Sequence, residues 1–130
     1  MSLYQDLILD HYRNPRNQGV LPRATKSADA SNLACGDTLH IDIIVKNDII
    51  EDVKFSGSGC AISQASASLL TEYIKKKPAL EALALVPENV TELLGVTLSP
   101  NRMKCGLLSL ETLHRALNQE SGIGNQKRKT

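Results

Sequence analysis

An α+β fold is expected from three features of this sequence. Two strand-like alternations meet at Asn47-Asp48, helical periodicity begins directly after Gly59-Cys60, and apolar residues recur at helical spacing from Met103 to Leu117. The elements follow in order. Leu3, Leu7, Ile8, His11 and Tyr12 fall on one helical face behind Ser2, a suitable N-cap, and Asn14-Pro15 stops the run. The Leu3, Tyr4, Leu7 side of this helix is read as core, the alternative being a detachable contact for a partner protein. From Asn17 to Leu33, with Gly19 and Pro22, there is little periodicity, and part of the stretch suits an edge strand. Leu39, Ile41, Ile43 and Val45 then alternate with His40, Asp42 and Ile44, and beyond the Asn47-Asp48 turn Ile49, Glu51, Val53 and Phe55 alternate again. This is a hairpin, with Cys35 just before its first strand.

The strand pattern ends at Ser56-Gly57-Ser58-Gly59-Cys60, and Ile62, Ala65, Leu69, Tyr73 and Ile74 then trace a helix face as far as Lys77-Pro78. Cys60 therefore occupies a strand-to-helix turn. Two short helices, about 79–85 and 88–94, lead to a connector marked by Gly95 and Pro100. Met103, Leu107, Leu110, Leu113 and Leu117 give a long amphipathic helix that carries Cys105 in its first turns.

A chain of 130 residues suits one domain with a core of its own. We assign residues 1–120 to that domain and read 121–130, which ends Lys127-Arg128-Lys129, as a polar, solvated, disordered tail. Fifteen basic against 14 acidic residues leave a formal net charge of +1, which offers no general attraction to nucleic acid or to an anionic membrane. The N-terminus carries Asp6 and Asp10 and no apolar signal core, and no run approaches the length of a membrane span, so a cytoplasmic location is expected.

The three cysteines each adjoin a glycine, in Cys35-Gly36, Gly59-Cys60 and Cys105-Gly106, with Asp37 two residues after the first. At a usual glycine frequency of about 7%, such triple adjacency arises by chance on the order of a few times in a thousand, so the thiols look placed. An odd, widely spaced set argues against a disulfide framework and toward metal binding or thiol chemistry. Any one cysteine taken alone suits a buried apolar packer equally well; the shared glycines and Asp37 favour one site. Positions at loops and helix starts suit thiolate chemistry, since a helix N-terminus favours the anion, and Arg102 and Lys104 lie beside Cys105. Cys35, Asp37, Cys60 and Cys105 together meet the four-coordinate demand of zinc or of an iron–sulfur cluster edge.

Other features read as ordinary. His11, His40 and His114 are more simply structural than ligands, with His40 the one close enough in sequence to the Cys35 loop to stay in play. Ser58 to Ser63 lacks both the GxGxxG register and a Gly-Lys-Ser/Thr end, so it is not a nucleotide loop. Ser63, Ser66 and Ser68 are expected to cap or to face solvent.

Three motifs in this order point to a family: Asp10-His11-Tyr12-Arg13-Asn14-Pro15-Arg16-Asn17 with Cys35-Gly36-Asp37, then Gly57-Ser58-Gly59-Cys60-Ala61-Ile62-Ser63-Gln64-Ala65-Ser66, then Arg102-Met103-Lys104-Cys105. From Leu3 to about Leu117 the chain resembles iron–sulfur cluster assembly proteins of the NifU N-terminal type, the group that includes IscU and SufU. The resemblance implies a SufE/NifU-like fold, a three-stranded antiparallel sheet packed against about five helices. It implies a protein that is no enzyme alone: a sulfur acceptor that works with a cysteine desulfurase of the SufS or IscS kind and serves as scaffold or zinc-dependent sulfur relay. Downstream it implies an iron–sulfur carrier or a SufBCD-type scaffold. By position, Cys35, Asp37, Cys60 and Cys105 would hold zinc, iron or a [2Fe-2S] cluster, and Cys35 or Cys105 would take the persulfide sulfur.

Within the family the motifs are closest to SufU. IscU-type proteins have a histidine where this chain has Lys104, and a Leu-Pro-Pro-Val-Lys chaperone segment where it reads Leu98-Ser99-Pro100-Asn101-Arg102. The interval from Cys60 to Cys105 is too short for the insertion usual in SufU. The alternative from another class is a small interaction protein with a purely structural zinc site.

Overall fold

The computed structural model describes residues 3–32 and 36–118, with side chains from residue 5 onward in the first stretch. Ser2, Cys35, the side chains of Leu3 and Tyr4, and the 121–130 tail lie outside the described residues. The order is α1 (Leu3–Arg13), β1 (Lys26–Asn32), β2 (Asp37–Lys46), β3 (Ile49–Ser58), α2 (Ala61–Ile74), α3 (Ala79–Leu83), α4 (Pro87–Leu94) and α5 (Pro100–Leu117). The strands form one antiparallel sheet in the order β1-β2-β3, as expected, and the stretch without clear periodicity does contain its edge strand, β1.

Asn47 and Asp48 adopt φ of 52° and 64°, the paired left-handed geometry of a two-residue hairpin turn whose twist matches the strands. The second alternation departs from expectation. Ile44 pairs with Asp52 but Val45 pairs with Ile50, so Glu51 is an extra residue on β3. This bulge corrects a face that would otherwise have driven Glu51 inward: Ile50, Val53 and Phe55 are fully buried, while Glu51 is exposed.

The inner face of the sheet, with Leu39, Ile41, Ile43, Val53 and Phe55, packs on α2 and α5. Helix α2 is more enclosed than its sequence suggests. Residues 62–71 are all buried, because α1, α4, α5 and β3 surround it. Ser63, Ser66 and Ser68 are therefore not solvent-facing. They are tolerated in the interior because each hydroxyl finds a partner: Ser63 donates to the Cys60 carbonyl (3.1 Å), Ser66 meets the Gly106 carbonyl (2.6 Å) and Ser109 (2.7 Å), and Ser68 meets His11 (2.7 Å) and the Arg16 N–H (2.8 Å). Pro100, expected in the connector, is instead the first residue of α5; its fixed φ suits that position, and Ser99 caps the helix by accepting from Arg102 N–H.

After α1 the chain runs along the free edge of β3, where Phe55 N–H donates to Asn17 O (2.9 Å) and Gly19 N–H to Phe55 O (2.8 Å). It then crosses the outer face of the sheet, where Leu21 N–H donates to Asp42 Oδ2 (3.0 Å), before joining β1. This crossing explains the burial of a carboxylate on an otherwise polar face.

Two histidines respond to pH in opposite directions. The buried His11 shares a 2.7 Å hydrogen bond between Nδ1 and the Ser68 hydroxyl, whose oxygen also accepts from Arg16 N–H. Burial, with the Arg16 charge, lowers its pKa, so the unfolded chain binds the proton more readily and stability falls as pH drops through about 6.5, the usual histidine value. His40 lies on the outer face between Asp29 and Asp42, each 2.7 Å from a ring nitrogen. Partial burial opposes its charge, but the two carboxylate hydrogen bonds outweigh that and raise its pKa. Its contribution is full below about 6.5 and is lost as pH rises through the raised value. Melting curves between pH 7.5 and 5.5 should show that, on acidification, His40→Gln loses stability relative to the parent and His11→Gln gains stability relative to it. Parallel curves for all three proteins would contradict this reading.

Candidate metal centre

Asp37 is the first residue of β2, and the ladder pairs its neighbour Thr38 with Ser58. The chain leaving β3 therefore passes directly beside Asp37 at Gly59 and Cys60. Register decides this: without the extra residue at Glu51, every pair beyond the bulge would slip by one and reverse face. Gly57 permits the close approach, with φ of +139° and a missing side chain that would strike the Thr38 carbonyl.

Cys60 is the N-cap of α2, with extended backbone (φ −78°, ψ 172°). Cys105 lies in the second turn of α5, brought alongside by the buried Ser66 contacts to Gly106 and Ser109. Gly106 has no side chain to hold the helices apart; a Cβ there would sit 2.9 Å from Leu98 Cδ1 and 3.5 Å from Ile62 Cγ2. One oxygen of Asp37 and the sulfurs of Cys60 and Cys105 lie within 4.8 Å of one another. Asp37 and Cys105 are almost fully enclosed, at 1% and 2% exposure, and Cys60 is half-buried. Arg102 and Lys104 are exposed on the first turns of α5.

Asp37 is held by one oxygen. Oδ1 accepts from Cys60 N–H (3.0 Å), while Oδ2 is buried without a hydrogen-bond partner; among the described residues Gln64 Nε2 is the other such side-chain atom. An uncompensated buried carboxylate oxygen is costly. The Asp37 carboxylate and the two cysteine sulfurs form a mixed hard and soft donor set of the kind that zinc or iron accepts, so the residues present fit a metal.

Three of the four expected ligands thus converge, and Cys35 lies outside the described residues. No histidine joins them among the described residues: both ring nitrogens of His40 are taken by Asp29 and Asp42, His11 is turned to Ser68, and His114 Nε2 meets the Ala82 carbonyl (3.1 Å). Ser63, expected from the sequence to cap or to face solvent, is instead buried at the site with its hydroxyl on the Cys60 carbonyl; its position three residues after Cys60 was the available signal.

A three-stranded sheet that gathers a carboxylate and two thiols at the start of two helices defines a small α+β domain with a candidate metal centre. The chain belongs to the NifU-like N terminal domain family, which matches residues 3–126. It is 37% identical to the zinc-dependent sulfurtransferase SufU of Bacillus subtilis, with 93% of each chain covered. That alignment spans 138 positions, more than this chain's 130 residues, so the relative carries residues absent here. It is 45% identical to the iron–sulfur cluster assembly scaffold protein IscU of Aquifex aeolicus, over 88% of this chain and 73% of that protein. A crystal structure of a SUF-system scaffold protein from Fervidobacterium islandicum superposes with a TM-score of 0.77 at 34% identity, covering 91% of this chain and 96% of the other.

Proposed function

We propose that this protein receives sulfur from a cysteine desulfurase and passes it toward iron–sulfur clusters, as a zinc-dependent relay or as a scaffold, in a reducing cytoplasm where its thiols stay reduced. The carrying observation is the convergence of one oxygen of Asp37 with the sulfurs of Cys60 and Cys105 within 4.8 Å, at a carboxylate that keeps one buried oxygen without a hydrogen-bond partner. Membership of a family that contains both SufU and IscU supports it. So does the absence, among the described residues, of any helix long and apolar enough to cross a membrane.

In this reading Asp37, Cys60 and Cys105, with Cys35, hold the metal. Zinc bound there supplies a redox-inert Lewis acid that keeps thiolates deprotonated and ordered; iron, where a cluster is built, is cargo. Sulfur arrives when an acceptor thiolate attacks the outer sulfur of the desulfurase persulfide. A new S–S bond forms, the old one breaks, and the desulfurase cysteine leaves as thiolate. Cys35 and Cys105 are the candidate acceptors. At 2% exposure Cys105 must first be uncovered to react, which makes Cys35 the acceptor to test first. An iron–sulfur carrier or a SufBCD-type scaffold is the proposed recipient.

The test is anaerobic incubation with a cysteine desulfurase, cysteine and ferrous iron, then re-isolation for visible spectrum and metal content. Thiolate-to-iron bands with about two irons retained establish a scaffold. A colourless protein that keeps about one zinc and carries persulfide establishes the relay. A protein with neither metal nor persulfide overturns the proposal. Because the hard carboxylate is the labile bond among soft thiolates, and so the point at which a bound cluster is let go, Asp37→Ala should lengthen the lifetime of a bound cluster and slow its delivery. Decay of the visible bands under chelator challenge checks this, and a parental decay rate would refute it.

A further inference from the structure

The cysteines draw attention at this site, but the residue that decides where the carboxylate sits is a glycine. A Cβ at position 59 would lie 2.5 Å from Asp37 Oδ1, 2.5 Å from Ser63 Oγ and 3.0 Å from Asp37 Cγ. Real Cβ atoms do not approach so near, so any other residue there must displace Asp37, Ser63 or both. The backbone of Gly59 lies outside the left-handed region, unlike that of Gly57 at +139°, so alanine is conformationally allowed at 59 and the constraint is one of space alone.

The displaced contact is the one that orients the carboxylate. With Oδ1 hydrogen-bonded to Cys60 N–H at 3.0 Å, Asp37 is bound to the backbone of another proposed ligand, and Oδ2 is the oxygen left over. Ser63 closes the other side of this seat: it is 1% exposed and its hydroxyl is tied to the Cys60 carbonyl at 3.1 Å. Carboxylate, amide and hydroxyl meet over the bare Cα of Gly59.

We propose that Gly59 is a positioning residue for the metal centre: by carrying no side chain it lets Asp37 dock through Oδ1 on the Cys60 amide, which fixes the carboxylate beside the thiols and leaves Oδ2 without a protein partner. The inference rests on the metal-centre reading above. It implies that Asp37 and Cys60 move together, because displacement of Cys60 breaks the bond that aims the carboxylate. Gly59 touches no metal itself and acts through Asp37.

The experiment is a double-mutant cycle on zinc affinity, measured by competition with a chromophoric chelator on the full chain. The melting temperature of each metal-free variant is recorded alongside. Loss of an outer-shell support costs about 10–100-fold in metal affinity, and that loss is expected for Gly59→Ala in the parent. In an Asp37→Ala background the same substitution should change affinity by less than about 3-fold, since the residue through which it acts is gone. Gly59→Ala combined with Ser63→Ala, which removes the hydroxyl contact but not the carboxylate contact, should stay as weak as Gly59→Ala and keeps the test open if overpacking unfolds the single variant. Equal losses with and without Asp37, or recovery of affinity in the Gly59→Ala, Ser63→Ala variant, overturn the proposal. So does parental affinity in Gly59→Ala. A parent that binds neither zinc nor ferrous iron overturns the metal-centre reading and this inference with it, whereas a zinc-binding parent indifferent to Gly59→Ala overturns the inference alone.

Discussion

Cys60→Ser is expected to lower zinc affinity by at least about 100-fold and to leave the metal-free protein folded, with a melting temperature within about 5 °C of the parent. A serine hydroxyl is neutral near pH 7 and a hard, weak ligand, so the substitution removes one of the three donors gathered here. The loss should exceed the 10–100-fold typical of a supporting residue. The fold has little stake in this sulfur, because Cys60 is half-buried at a helix N-cap while the core is built from residues such as Ile41, Ile43, Leu70 and Leu113, all at 0% exposure. This separates the two functional readings, since a structural zinc site supplies folding energy outright and its metal-free form is unfolded. Circular dichroism melts of metal-free parent and Cys60→Ser decide it: two cooperative transitions support a working site, and an unfolded chain at 25 °C supports a structural one.

Phe55→Ala should show the converse, costing about 3–5 kcal/mol of stability against a total of about 5–15 for a domain of this kind. The ring is fully buried on the inner face of β3, between the sheet and its helices, and is the one phenylalanine in the chain. The same residue's backbone N–H and C=O both pair with the crossing segment, at Asn17 and Gly19, so loosening β3 there loosens the strap over the outer face. Urea denaturation measures the cost. A change below about 1 kcal/mol would mean that the interior collapses around the gap far more completely than close-packed cores do.

Local signals carried much of the architecture. The Asn47-Asp48 turn, the stop at Asn14-Pro15 and the strand-to-helix change at Cys60 are written in short windows, where turn chemistry and periodicity act through neighbouring residues. Glycine beside each cysteine marked the site, although the glycines differ in use: Gly36 takes a φ of +72°, Gly59 admits a carboxylate, and Gly106 admits a neighbouring helix. The hidden parts depended on what lay across the interior. Serines along α2 look like a solvent face until α1 and α5 supply their partners. Likewise His40 remained a candidate ligand in the sequence until β1 and β2 placed a carboxylate on each ring nitrogen.

By itself, then, the sequence determined the class of fold, the order of its elements and the donor atoms available for chemistry, because these depend on residue type and on spacing within a turn or two. Only the tertiary structure decided which donors meet. A bulge at Glu51 sets the register that lays Asp37 beside Gly59, and a buried serine pair sets α5 against α2 so that Cys105 reaches Cys60. Both are contacts between residues far apart in the chain, fixed by close packing of the folded interior, and no local window of sequence contains them.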